Sequence, residues 1–154
     1  KKYPNLMITR TFSKIYGLAN LRIGYGIAQA KVVQQIQKVR QPFNVNGLAL
    51  ECANQALKND EFVQKSIQTN QLGKAYLMAE LRQFDCIIPP SQGNFLYIEF
   101  NAIDGIKLCQ DLLEKGIIVR SMKSFGQNNA IRVTIGTSDQ NEMFIKELHK
   151  CLKK

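Results

Sequence analysis

The chain has 154 residues, 45% of them hydrophobic and 21% charged, which is typical of a globular protein with one core or two small lobes. A formal net charge of +9 is compatible with binding to nucleic acid or to an anionic membrane. The basic residues are scattered along the chain, however, which favours an ordinary solvated surface. No apolar run approaches the ~20 residues of a membrane helix. A single histidine, His149, excludes a metal site built on histidines, and four widely spaced cysteines indicate reduced thiols in a cytoplasmic protein.

The first part of the chain predicts two strands followed by helices. Leu6–Thr9 is a short apolar run that indicates a buried strand, and Leu21–Ile27 alternates well enough to be a second one. Helices are predicted over Ala30–Arg40 and, after the capping residue Asn46, through Leu57. A long helix then opens at Asp60, and we place a lobe boundary directly before it.

The second part predicts a β-α-β-β-α layer. Phe95–Phe100 is a strand by its aromatic and β-branched content, and a helix follows over about Asp104–Lys115. Ile117–Arg120 and Ala130–Ile135 are two more predicted strands. Thr137-x-x-Gln140 fits a capping box at the start of the last helix.

Four polar residues accompany the loop between the first two predicted strands: Thr11, Ser13, Lys14 and Arg22. Hydroxyls and a guanidinium supply the donors and the fixed positive charge that a phosphate needs. A partly desolvated lysine beside them could attack a carbonyl carbon. The spacing alone nevertheless favours an ordinary loop lysine among turn residues, because a Ser-Lys pair is a weak signal.

The longer segment Thr11–Tyr25 resembles the cofactor-lysine segment of the fold-type-I pyridoxal-phosphate (PLP) aminotransferases, in particular the histidinol-phosphate aminotransferases. The resemblance implies that Lys14 is the catalytic residue that holds PLP, and that Ser13 and Arg22 bind the PLP phosphate. Thr11 is a weaker match for the same cofactor-binding role.

A second stretch is similar to the same family. Gly116–Arg120, followed by Ile131–Thr137, looks like its substrate-arginine region. The resemblance implies that Arg132 binds the acid group of the substrate and that Arg120 helps to hold a substrate phosphate. Either arginine alone could equally be a surface ion pair, but two on neighbouring strands can clamp a phosphate or carboxylate.

The resemblance implies an α/β protein that forms the C-terminal part of a fold-type-I PLP-dependent transferase. Residues 1–59 would be the end of the large PLP-binding domain, and residues 60–154 a linking helix with the small α+β domain. The beginning of the sequence suggests a cut end, and the rest of the site should lie upstream, so we expect the chain alone to be inactive and to expose a large apolar surface.

The implied reaction is transamination of histidinol phosphate with 2-oxoglutarate, which becomes glutamate, by a homodimeric enzyme of histidine biosynthesis. Aromatic or other amino-acid aminotransferases and PLP decarboxylases of the same fold remain alternatives. A basic module that binds RNA or another anion, with Phe95 and Tyr97 as stacking aromatics, is the alternative outside enzymes. Otherwise neither nucleic acid nor membrane is expected as a partner.

Overall fold

The computed structural model describes residues 3–152, and the chain divides after Ile67 into two compact units. The division falls inside the long helix that starts at Asp60. The lobe boundary predicted directly before Asp60 remains a prediction. Within residues 3–152, no helix is both long and apolar enough to cross a bilayer. The same residues hold no group of three or more histidine, cysteine or acidic side chains that could bind a metal ion.

The first unit begins with an antiparallel ribbon of two strands, β1 (Met7–Thr11) and β2 (Gly24–Ala28). Two helices follow, α1 (Ala30–Val39) and α2 (Gly47–Ala56). Asn46 caps α2 as predicted, since its Oδ1 accepts a hydrogen bond of 2.8 Å from the backbone N–H of Ala49.

The prediction that the first two strands are buried is wrong for this chain. Every residue of β1 is exposed, and in β2 only Ala28 is partly covered. The reason is that a strand buries its side chains against a further layer, and the described residues of this unit place no such layer over the ribbon. The small core of the unit lies elsewhere, around Phe12, Ile23, Ala49 and Ala53.

The helix α3 (Asp60–Glu80) starts in the first unit and ends in the second. The second unit has a four-stranded antiparallel sheet in the order β3-β4-β6-β5. The strands are β3 (Cys86–Ile87), β4 (Phe95–Phe100), β5 (Arg120–Ser121) and β6 (Ala130–Thr134). Two helices complete it, α4 (Gly105–Leu113) and α5 (Ser138–Leu152).

One face of this sheet forms the main core. Leu96, Ile98 and Phe100 alternate along β4 towards that face and are buried, together with Ile131 and Val133 of β6. Apolar side chains of α3, α4 and α5 pack against them. The opposite face carries the polar residues of the same strands and is only partly covered.

The predicted strand over Ile117–Arg120 is mostly wrong, since only Arg120 and the following serine pair with β6. The backbone N–H of Ile117 instead donates to the carbonyl of Leu112, which closes the C-terminal end of α4. The predicted capping box of α5 is confirmed: the Thr137 N–H donates to Gln140 Oε1 at 3.0 Å, and the Gln140 N–H lies 3.5 Å from Thr137 Oγ1.

Candidate active site

The loop between β1 and β2 is anchored by one buried aromatic side chain, Phe12. Its N–H donates to the carbonyl of Ile23 and its own carbonyl accepts from the N–H of Leu18, at 3.2 and 2.9 Å. Its ring packs against those of Tyr16 and Tyr25, with centroids 5.0 and 5.7 Å away. These contacts fix the backbone on both sides of the polar residues that the sequence singled out.

Lys14 lies on a turn of this loop, where its carbonyl accepts a hydrogen bond of 2.9 Å from the N–H of Gly17. Its side chain is exposed and makes no ion pair within the described part of the chain. Next to it, the N–H of Ser13 donates to Thr11 Oγ1 at 3.0 Å. Within the described residues, neither the Thr11 hydroxyl nor the Ser13 hydroxyl donates a hydrogen bond to another protein group.

Arg22 closes the loop in a backbone conformation that is unusual for its residue type. Its φ is 53°, in the left-handed region that non-glycine residues rarely adopt. One guanidinium nitrogen, Nη1, donates to the carbonyl of Ala19 at 2.6 Å. The contact ties the side chain to the loop and leaves its remaining N–H donors for an anion.

The second unit presents the two predicted substrate arginines side by side. Arg120 and Arg132 face each other in register across β5 and β6, and Tyr97 is the partner of Arg132 on β4. Within residues 3–152, neither guanidinium has a carboxylate partner. Each lies over a ring instead, Arg132 at 4.8 Å from the centre of Phe95 and Arg120 at 5.2 Å from that of Phe125.

The proximity of two unpaired arginines makes this face attractive to anions. Like charges directly opposite each other on neighbouring strands repel. A phosphate or carboxylate would relieve this repulsion and accept hydrogen bonds from planar guanidinium groups. Phe95, considered above as a stacking platform for RNA, is stacked against Arg132 instead.

A carboxylate on the same face was not singled out from the sequence. Glu99 accepts a hydrogen bond of 2.9 Å from the Tyr97 hydroxyl and lies 3.5 Å from the Asn129 side-chain amide. Desolvation raises the pKa of Tyr97, and the hydrogen bond to Glu99 and its charge raise that pKa further. The alternation of Phe95–Phe100 was the available signal, because it places residues 95, 97 and 99 on one face.

A comparison with known protein families identifies the family of this chain. The model of the family "Aminotransferase class I and II" matches residues 1–148. The chain belongs to this family.

Two aminotransferase relatives illustrate the match. The chain is 44% identical over 150 residues to histidinol-phosphate aminotransferase 2 of Pseudomonas fluorescens, covering 97% of this chain and 40% of that protein. It is 44% identical over 148 residues to the histidinol-phosphate aminotransferase of Moorella thermoacetica, covering 96% and 38%. The chain therefore spans about two fifths of the length of these curated relatives.

Solved structures confirm the fold of this aminotransferase chain. The histidinol-phosphate aminotransferase of Clostridium acetobutylicum matches with a TM-score of 0.91 at 24% identity, covering 97% of this chain and 46% of that one. The enzyme of Sinorhizobium meliloti, solved in complex with pyridoxal-5'-phosphate, gives 0.86 at 23%, covering 97% and 42%. L-threonine-O-3-phosphate decarboxylase of Porphyromonas gingivalis gives 0.83 at 26%, covering 100% and 49%. The predicted α/β fold is thus confirmed, and the chain matches somewhat less than half of each of these solved proteins.

Proposed function

We propose that this chain is the C-terminal part of a PLP-dependent aminotransferase that acts on histidinol phosphate and 2-oxoglutarate. The observation that supports it most is the exposed, unpaired Lys14, which directly follows the hydroxyl residues Thr11 and Ser13 in a chain of this family. The names of the curated relatives support the choice of substrate. We expect the complete enzyme to be a cytoplasmic homodimer.

The residues of the loop fit PLP. Thr11 and Ser13 offer hydroxyl donors, and Arg22 offers a fixed positive charge with free N–H groups, which together suit the phosphate of the cofactor. The Lys14 amine is available to bond the carbonyl carbon of the cofactor. When bound, PLP supplies an electron sink for the electrons of the broken Cα–H bond of the substrate.

Lys14 then has a second task. With the substrate bound, its Nζ would act as the base that takes the proton from the substrate Cα. The same Nζ, then protonated, would give the proton up again later in the reaction, so Lys14 would act first as a base and then as an acid. The strained conformation of Arg22 supports a role of this loop in ligand binding, because strained residues cluster at ligand sites.

The arginine pair supports an acid-bearing substrate. Arg132 is proposed to bind the acid group and Arg120 to add a second contact to a phosphate. Their register across β5 and β6 and their lack of carboxylate partners among the described residues support this assignment. Phe95, against which Arg132 stacks, limits the directions that this guanidinium can take.

A second candidate is decarboxylation of a phosphorylated amino acid. The likeness to L-threonine-O-3-phosphate decarboxylase, at 26% identity and a TM-score of 0.83, favours it. The same lysine and arginines would serve, because both reactions begin with an amine that carries an acid group. Release of carbon dioxide without 2-oxoglutarate would identify the decarboxylase, whereas formation of glutamate from 2-oxoglutarate would identify the aminotransferase.

The proposal is tested on the full-length polypeptide, incubated with PLP, reduced with borohydride and mapped by peptide mass spectrometry. We expect the cofactor on Lys14 and transamination of histidinol phosphate. Lys14→Arg should abolish the label and lower kcat by ~10³-fold or more, the scale of lost acid-base catalysis. Lys31→Arg, at an exposed position of α1, is the matched control and should change neither. Absence of label from Lys14 in the unmodified protein would contradict the proposal.

A further inference from the structure

The end of β6 is held by a buried amide. Among residues 3–152, Asn141 is the one polar residue that is fully buried, with 3% of its surface exposed. Its Oδ1 accepts from the N–H of Gly136 at 2.9 Å, and its Nδ2 donates to the carbonyl of the same residue at 3.1 Å. Asn141 thus binds both backbone groups of a residue that lies four positions after Arg132, and thereby fixes the strand end.

We call the pair of hydrogen bonds from Asn141 to Gly136 the first clamp. A second clamp, formed by Ser91, holds the beginning of the neighbouring strand β4. The Ser91 hydroxyl donates to the carbonyl of Phe95 at 2.7 Å and accepts from the N–H of Gly93 at 3.1 Å. The N–H of Ile135 donates to the carbonyl of Asn94 at 2.9 Å, which joins the two clamped segments. Phe95 is the residue whose ring lies under the guanidinium of Arg132.

The helix α3 leaves the two clamps little room to move. Lys74 Nζ donates to the carbonyl of Ser91 at 2.7 Å, and Asn70 Nδ2 donates to that of Gly93 at 3.3 Å. A Cβ added at Gly73 would lie 2.7 Å from Nδ2 of Asn141, so the helix backbone packs directly on that amide. Such close packing transmits any change in the clamp to the strand ends.

We propose that Asn141 and Ser91 are positioning residues for the substrate arginine. They fix the ends of β6 and β4 so that Arg132 stays over the ring of Phe95, with its guanidinium aimed at the acid group of the substrate. Neither residue touches the substrate. This inference rests on the role that the proposed function gives to Arg132.

The expected effect is on binding of the acid group. A guanidinium that is poorly placed loses ground-state and transition-state contacts alike, which raises KM and leaves kcat unchanged. A purely structural role would lower the melting temperature and the active fraction, and would therefore affect every substrate equally. Comparison of the natural substrate with the same amine lacking its acid group separates the two cases.

The test uses the full-length enzyme with Asn141→Asp, which keeps the acceptor but loses the donor to Gly136, and with Ser91→Ala. For both, we expect KM for the acid-bearing substrate to rise about tenfold, with kcat changed less than about twofold. KM for the truncated amine should stay the same. Asn128→Asp, at an exposed position of the loop before β6, is the charge-matched control.

Arg132→Gln separates failure of the inference from failure of the proposed function. If Arg132→Gln leaves KM for the acid-bearing substrate unchanged, the assigned role of Arg132 is wrong. If Arg132→Gln raises that KM but Ser91→Ala and a folded Asn141→Asp do not, only the positioning inference is overturned. If Asn141→Asp does not fold, Ser91→Ala decides, because it removes one hydroxyl from a partly exposed site.

Discussion

Arg22 shows how a single residue carries information that no sequence pattern gives. A left-handed backbone costs a residue with a Cβ about 1–2 kcal/mol. Arg22 adopts this conformation, and its guanidinium donates a hydrogen bond to the carbonyl of Ala19. The pattern of Thr11–Arg22 predicted a loop between two strands. It did not predict the conformation of Arg22, since that depends on contacts that form only when the loop is closed by Phe12 and Ile23.

Cys86 allows a test at the level of one thiol. Desolvation raises the pKa of Cys86, and the charge of Asp85 raises it further. Because the thiolate is the nucleophile, a raised pKa slows alkylation near neutral pH and moves the rise in rate to higher pH. We expect iodoacetamide to label Cys86 slowly at neutral pH, and Asp85→Asn to speed this labelling partly, since desolvation remains.

Cys109 is the internal control for this prediction. Desolvation alone raises its pKa. Labelling of Cys109 should therefore be equally fast with and without Asp85→Asn, as measured by mass spectrometry of the two cysteine peptides over a pH series. An equal acceleration of both thiols would show that the substitution loosens the fold and does not act through charge.

At the scale of elements, the backbone of α3 packs closely against the segment after β6. A Cβ at Gly73 would lie 2.7 Å from Cγ2 of Ile135 as well as from the Asn141 amide. Gly73→Ala gains ~1 kcal/mol of helix propensity. Overpacking costs ~1–3 kcal/mol, and two contacts as short as 2.7 Å place this substitution in the upper half of that range. We expect a net loss of about 1–2 kcal/mol in the free energy of unfolding, measured by urea denaturation.

Gly47 provides the matched control, because it also lies in a helix but nothing would meet its Cβ within 4 Å. Gly47→Ala should leave the stability unchanged or raise it by a few tenths of a kcal/mol. Equal stability of Gly73→Ala and the unmodified chain would mean that α3 packs less tightly than described.

At the scale of the whole molecule, the two units differ in how well they bury their apolar residues. The second unit has a continuous core around β4 and β6. In the first, Met7, Ile8, Tyr25 and Ile27 of the ribbon are between 39% and 58% exposed. Exposed apolar side chains of this kind agree with the large apolar surface expected from the resemblance.

This asymmetry predicts uneven protection from hydrogen exchange. A two-stranded ribbon is marginally stable in water, so amides of β1 and β2 should exchange quickly in the 154-residue chain, whereas those of β4 and β6 should exchange slowly. Mass spectrometry of peptic peptides measures both in one sample. In the longer enzyme of the proposed function we expect β1 and β2 to become protected. Equal protection of the four strands in the 154-residue chain would contradict the asymmetry.

The sequence by itself determined the elements whose signals are local. The strand Phe95–Phe100, the caps of α2 and α5, and the family that the segment around Lys14 resembles depend on neighbouring residues, and each was predicted correctly. The tertiary structure decided the rest, because it depends on residues distant in the chain. The exposure of β1, the short pairing at Arg120, the place of Glu99 beside Tyr97 and the clamp of Asn141 on Gly136 all follow from which surfaces meet.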